Sequence, residues 1–358
     1  MKPIFFTPGP TQLYPTVKKH IYQALQNNIL SISHRSLPYQ IIHEHTVNQL
    51  KTLLGIPKDY LVFFVSSGTE AMERTIQNTV EKKSVHFVNG AFSQRFFTIA
   101  KELGKNAHAI TIPWGQGFIP DNVNIPKKSE LICITHNETS TGVSIPTEYI
   151  YKLKQRWPNV LLAIDMVSSA PYVDMDYTYT DIAFFSVQKG FGLPAGLGVL
   201  FVSPQAYEKS QYLFKKGVSI GSFHSFSSLN KEAEKHQTPE TPNVLGIYLL
   251  GRVCEDMHMY GIKRIRKETE EKATLLYDCL TTSTRLKPFV KEKHYQSQTV
   301  IVAEVKNGSQ HLLSYLKKKG MIVGAGYGLF KDNQIRIANF PAHTIKDIQK
   351  LQKTLYIF

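Results

Sequence analysis

The feature that most constrains this chain is a series of short, unbroken apolar runs at residues 61–66, 85–89, 131–135, 160–165, 182–186 and 199–202. Each has the length of a strand. Most lack the in–out alternation of a half-exposed strand, which is how strands read when both faces of a mostly parallel sheet are covered. Between them, residues 68–81, 93–103 and 147–157 have the length and apolar period of crossover helices. The expected class is α/β.

The pattern changes after Thr238-Pro239-Glu240-Thr241-Pro242. Two long helical stretches follow, 243–259 and 262–281, separated at Gly261. Strand-like runs at 300–305 and 334–338 then alternate with helical stretches at 309–319 and 345–354, an α+β layout. A chain of 358 residues is long enough for one large and one small domain. The expected division is a large domain over 16–245 and a small C-terminal α+β domain over 246–358, with residues 1–15 packing near the small domain and the functional site.

Composition narrows the class. At 42% hydrophobic and 20% charged residues the chain can fill a substantial interior. Its N-terminus carries one lysine and is interrupted by Pro8 and Pro10, so no secretory leader is expected. No apolar run approaches the roughly 20 residues of a membrane span. Cys133, Cys254 and Cys279 are odd in number and lack paired spacing, which argues against a disulfide framework or a metal site and makes the reducing cytoplasm the expected compartment. The net charge of +14 raises the question of nucleic acid, but the basic residues are scattered as pairs and triplets without interleaved aromatics. Steering of a small anionic substrate fits that distribution better.

The chemistry concentrates in residues 161–203. Asp165 ends one apolar run and Lys189 follows the next, so both emerge at one edge of the sheet, where α/β proteins build their sites. Alone, such a pair is more often a solvated carboxylate and a surface amine. Two other segments reach the same edge. Ser66-Ser67-Gly68-Thr69-Glu70-Ala71-Met72 leaves a strand and opens a helix, offering hydroxyls and free N–H groups to a phosphate, although Ser and Thr also serve there as plain helix caps. Phe92, beyond another strand, is placed to stack on a ring, unless it is a core side chain. A carboxylate, a lysine, a phosphate cradle and an aromatic face are what pyridoxal 5′-phosphate needs: the acid keeps the pyridine nitrogen protonated, and the lysine holds the cofactor as a Schiff base and shuttles a proton.

Eight segments in order carry a resemblance: Thr7-Pro8-Gly9-Pro10-Thr11, Ser33-His34-Arg35-Ser36, residues 66–72, 89–95, 135–143, 163–169 and 186–192, and Ile335-Arg336-Ile337-Ala338. From about residue 5 to 345 the chain resembles the class V aminotransferases, which include the phosphoserine and the alanine/serine–glyoxylate enzymes. That resemblance implies fold type I of the pyridoxal-phosphate-dependent transferases and a ping-pong transamination. It implies Lys189 as the Schiff-base lysine, Asp165 as partner of the pyridinium nitrogen, and Gly68, Thr69 and Gln188, with Ser67 beside them, around the phosphate. Phe92 and Val167 would cover the two ring faces, Thr139 would bond the ring hydroxyl, and Arg336 would clamp the substrate α-carboxylate. Thr238 would reach the cofactor phosphate of a neighbouring subunit, making a homodimer necessary.

His34 and Arg35 match the segment with which phosphoserine aminotransferases help bind the distal phosphate. Phosphoserine with 2-oxoglutarate, in serine biosynthesis, is therefore the first expectation. The alternative is the alanine/serine–glyoxylate (serine–pyruvate) branch, because Gly328-Leu329-Phe330-Lys331-Asp332 stands where the other enzymes carry a His-Arg pair. A cysteine desulfurase is disfavoured by Gln188 before the lysine and by the lack of cysteine after Cys279. A basic nucleic-acid-binding protein on a decayed fold is disfavoured by the intact Asp165, Lys189 and Arg336.

Overall fold

In the computed structural model, which describes residues 2–358, all six apolar runs become strands of one sheet. Along the chain the first strands are β1 (Ile4–Phe6), β2 (Leu61–Val65), β3 (Lys83–Val88), β4 (Asn106–Thr111), β5 (Leu131–Thr135), β6 (Asn137–Glu138) and β7 (Val143–Ser144). There follow β8 (Leu161–Asp165), β9 (Ile182–Ser186), β10 (Gly198–Val202), β11 (Leu286–Pro288), β12 (Val300–Val305), β13 (Met321–Ala325) and β14 (Gln334–Ala338). The helices of the first part are α1 (Val17–Gln26), α2 (Leu37–Leu54), α3 (Gly68–Thr79), α4 (Ala91–Glu102), α5 (Thr147–Arg156), α6 (Pro204–Lys215) and α7 (Phe226–Ala233). Those of the second part are α8 (Val244–Tyr260), α9 (Ile262–Thr282), α10 (Gln310–Lys318) and α11 (Ile345–Ile357).

The large sheet has the order β2-β10-β9-β8-β5-β3-β4. Every pairing in it is parallel except the two made by β10. Every residue of β5, β8 and β9 is buried. The reason the runs are unbroken is visible in their packing: Ile132, Ile134, Leu162 and Ile164 enter one core cluster, while Leu131, Cys133, Leu161 and Ala163 enter another on the opposite face. The first cluster takes in α2 and α8 through Leu50 and Leu250, and the second takes in α3 and α4 through Ile76 and Phe96. Edge strand β4 has exposed and half-buried residues only, so it lacks the apolar run of its neighbours and was not legible in the sequence.

The small sheet has the order β1-β13-β14-β12-β11. Its first strand comes from the N-terminus, with Ile4 to Phe6 running parallel to Met321 to Val323. Leu276 and Leu280 of α9, Leu316 of α10 and Leu351 of α11 cover it. No helix among the described residues is long and apolar enough to cross a membrane. All three cysteines are free and buried.

Candidate active site

Parallel pairing sets the site. In β8 and β9, Ala163 lies opposite Ile182 and Asp165 opposite Phe184, so both strands end at the same edge of the sheet. The chain then turns within three residues to bring Lys189 over that edge, with the turn closed by Gly192 N–H donating to the Lys189 carbonyl at 2.8 Å. The residues around them line a cleft of about 350 Å³.

Lys189 is buried, and its Nζ donates to Thr139 Oγ1 at 2.8 Å. The amine also lies 4.9 Å from the centre of the Phe92 ring. Burial lowers its pKa, against the opposing pull of the Asp165 and Glu138 carboxylates. Asp165 is equally buried; it accepts from Val167 N–H at 2.8 Å and stands 3.5 Å from Thr135 Oγ1. Desolvation raises its pKa, while the Val167 N–H and Lys189 work the other way. Among the described residues neither group forms an ion pair. A buried acid and a buried amine thus sit in one cleft, each short of a charged partner.

The head of α3 forms one wall. Ser67 caps the helix by accepting from Glu70 N–H at 3.1 Å, and Gly68 N–H donates to Ser186 Oγ at 2.7 Å. A Cβ on Gly68 would come within 2.7 Å of Val167 Cγ2 and 2.9 Å of Ser186 Oγ, so the close approach of helix and strands here requires glycine. Thr69 is exposed towards the cleft it lines. Gly9, at φ +141°, closes the cleft from the N-terminal segment, where a Cβ would meet Lys189 Cε at 2.9 Å.

The small sheet contributes Arg336, on β14. Its Nε donates to the Ala325 carbonyl at 2.8 Å, and its guanidinium lies 5.2 Å from the Tyr327 ring centre. Among the described residues it pairs with no carboxylate, so the surface ion pair that an isolated arginine suggests is not what the fold makes of it. Burial lowers its pKa.

Of the residues singled out in the sequence, Ser67, Gly68, Thr69, Phe92, Thr139, Asp165, Val167, Gln188, Lys189 and Arg336 all line this one cleft. His34, Arg35 and Thr238 do not. In this chain Arg35 donates to Glu232 Oε2 at 3.0 Å, Gln237 Oε1 at 2.8 Å and the Pro239 carbonyl at 3.2 Å, while buried Thr238 donates to the Glu240 carbonyl. A site built from one chain alone therefore omits all three.

Sequence reasoning assigned no role to Tyr327, which lines the cleft between Phe92 and Arg336. It also passed over Glu138. That fully buried carboxylate accepts from the N–H groups of Phe92, Ser93 and Ser140 at 3.1, 2.9 and 3.1 Å, and so holds the head of α4 with its aromatic ring. Its only signal was its place in the quoted segment 135–143. A larger cleft of about 710 Å³ opens beside the first, between α4 and residues 327–330, and shares Tyr327 with it. It carries no paired acid and amine.

The family model for aminotransferase class-V matches residues 4–349. The chain belongs to the class V aminotransferases. It is a pyridoxal-phosphate-dependent transaminase with the fold of those enzymes. A phosphoserine aminotransferase from Cytophaga hutchinsonii has 46% sequence identity and a TM-score of 0.98, covering 99% of this chain and 98% of that one. A phosphoserine aminotransferase from Rhodococcus opacus is 27% identical over 351 residues, 97% of this class V chain and 92% of the relative. An alanine–glyoxylate aminotransferase from a Nostoc species has 22% identity and a TM-score of 0.82 over 99% of this chain and 94% of its own, a likeness of fold.

Proposed function

We propose that this enzyme is a phosphoserine aminotransferase, moving the amino group of O-phospho-L-serine to 2-oxoglutarate in a cytoplasmic route to serine. The observation that carries the reading is the 46% identity, across nearly the whole of both chains, to the phosphoserine aminotransferase from Cytophaga hutchinsonii.

The cleft fits pyridoxal phosphate. Asp165 is a buried carboxylate without an ion-pair partner, suited to a protonated ring nitrogen, and the head of α3 opens into the same cleft with Ser67, Gly68 and Thr69, where an anion would be favoured. When bound, the cofactor supplies an electron-withdrawing ring that takes up charge from the substrate α-carbon. The chain's own residues do the rest. Ser67, Gly68, Thr69 and Gln188 line the cleft and would hold the phosphate, where the positive end of α3 favours an anion. Phe92 and Val167 would bracket the ring, and Thr139 would bond its hydroxyl, all three lining the same cleft. Lys189 would hold the cofactor and serve as the proton carrier at the substrate α-carbon, and burial lowers its pKa towards the range where an amine can accept a proton. Arg336 offers a planar fork to the α-carboxylate.

His34, Arg35 and Thr238 lie together at one place on the chain, away from its own cleft. In a homodimer each copy would lend them to the partner, the first two for the distal phosphate of the substrate and Thr238 for that of the cofactor.

One observation favours the alanine/serine–glyoxylate branch instead: residues 328–332 carry no His-Arg pair, and Leu329 there is 96% exposed. The deciding experiment is a direct comparison of donors. With added pyridoxal phosphate, phosphoserine and 2-oxoglutarate should yield glutamate at a kcat/KM at least tenfold above that for alanine or serine with glyoxylate. The reverse ranking would overturn the phosphoserine reading.

A further inference from the structure

His224 has a setting that the transamination chemistry does not use. Its side chain is only 5% exposed and lies between two carboxylates, with Nδ1 against Glu70 and Nε2 2.8 Å from Glu240 Oε2. Ionised carboxylates only accept hydrogen bonds, so a ring bonded to both donates from both nitrogens and carries a positive charge. Burial opposes that charge, but the hydrogen bonds with Glu240 and Glu70 outweigh it and raise the pKa to about 9. The groups facing the ring are Glu70 from α3, Glu240 from the segment 237–243, and the ring of Phe223.

The two carboxylates have other work. Glu70 belongs to the first turn of α3, and its Oε2 accepts from both Ser66 N–H and Ser66 Oγ at 2.7 Å. It therefore braces the turn that presents Ser67, Gly68 and Thr69. Glu240 belongs to the segment that carries Thr238, whose hydroxyl donates to the Glu240 carbonyl at 2.7 Å. That segment is pinned from its other sides by Arg35, through Gln237 and Pro239, and by Asn243, which donates to the Gly196 carbonyl at 3.2 Å. His224 ties it to the head of α3 by bonding Glu240 on one side and Glu70 on the other.

We propose that His224 is a positioning residue that couples the phosphate cradle of α3 to the segment bearing Thr238, setting the two phosphate-directed elements of the chain against each other. The inference rests on the reading that residues 67–69 hold the cofactor phosphate of one chain and Thr238 reaches that of the partner. In a dimer, one ion cluster per chain then serves both cofactor phosphates.

The test separates the phosphate from the ring. The cofactor-free full-length chain is titrated with pyridoxal phosphate and, separately, with pyridoxal, which lacks the phosphate. In His224→Gln the affinity for pyridoxal phosphate should fall about tenfold, which corresponds to about 1.4 kcal/mol, while that for pyridoxal stays within twofold. Glu240→Gln, which leaves Glu70 and His224 paired, should shift in the same direction by less, and it carries the test if the first variant does not fold. Equal losses for both ligands would make the cluster mere scaffold, and no loss would make it irrelevant; either result overturns the proposal. If the unaltered chain itself holds the two ligands equally, the phosphate-cradle reading fails, a result distinct from either.

Discussion

The amine of Lys189 donates to the hydroxyl of Thr139, not to the carboxylate of Asp165, although both residues line one buried cleft. An ammonium in such a place is paired with a neutral acceptor and pays for its burial in pKa. Lys189→Ala should therefore remove transamination by a factor of at least 10²–10⁴, on the order of what a positioned proton carrier contributes. It should leave the melting temperature of the cofactor-free chain unchanged or slightly higher. A melt lowered by about 5 °C or more would contradict that account of the lysine.

Asp165 makes a prediction with a definite sign. Its folded-state pKa is raised, so the native chain holds a proton that the unfolded chain has released, and stability falls as pH climbs from the ordinary carboxylate range to the raised value. Asp165→Asn should abolish that decline in the cofactor-free chain while impairing amino transfer. Urea unfolding of both proteins at a series of pH values measures the difference.

His224 has the same sign of slope in a more alkaline window. With its pKa raised to about 9, its contribution is fully present below the unfolded value near 6.5 and is lost as pH rises through about 9. Glu70 is depressed to about 2: burial pushes it up, and hydrogen bonds from His224 and Ser66 pull it down further. Its share is present above about 4.5 and lost as pH falls through about 2. His224→Gln should flatten the alkaline limb of the stability profile, recorded as melting temperature from pH 6 to about 10.

Arg336→Lys should raise KM for both the amino donor and the 2-oxo acid by about 10- to 100-fold, because a point charge replaces a fork and forfeits one charge-assisted hydrogen bond. The kcat should change far less. A loss confined to kcat would place the arginine in the chemical step and not in carboxylate binding.

Glu138→Ala should cost about 2–4 kcal/mol in urea unfolding, since it strands the buried N–H groups of Phe92, Ser93 and Ser140 together. Glu138→Gln, which retains an acceptor, should cost less. Both should also loosen Phe92, to be read as weaker pyridoxal binding.

The large sheet was legible because its signal is local. A strand such as β5 sends Ile132 and Ile134 to one core and Leu131 and Cys133 to the other, and that leaves an unbroken apolar run that no surface strand would carry. Strand β4, at the edge, lacks such a run, and in β13 the apolar run Met321-Ile322-Val323 is short and passes at once into Gly324 and Ala325, so neither stands out in the sequence. Glu138 is four residues from Ile134 and was invisible as a support, because nothing in its neighbours announces the N–H groups it accepts from 45 residues away.

By itself, then, the sequence determined the α/β class and the meeting of Asp165, Lys189 and the 66–72 turn at one sheet edge, since strand ends and helix starts are written in short-range pattern. Tertiary structure alone decided three things. It joined Ile4–Phe6 to Met321–Ala325, it took Arg35 to Glu232 and away from the chain's own cleft, and it set His224 between Glu70 and Glu240, 154 and 16 residues away. Each of these is a pairing of polar or short segments whose partners are fixed by how the large and small sheets pack their helices, and hydrophobic periodicity carries no information about that.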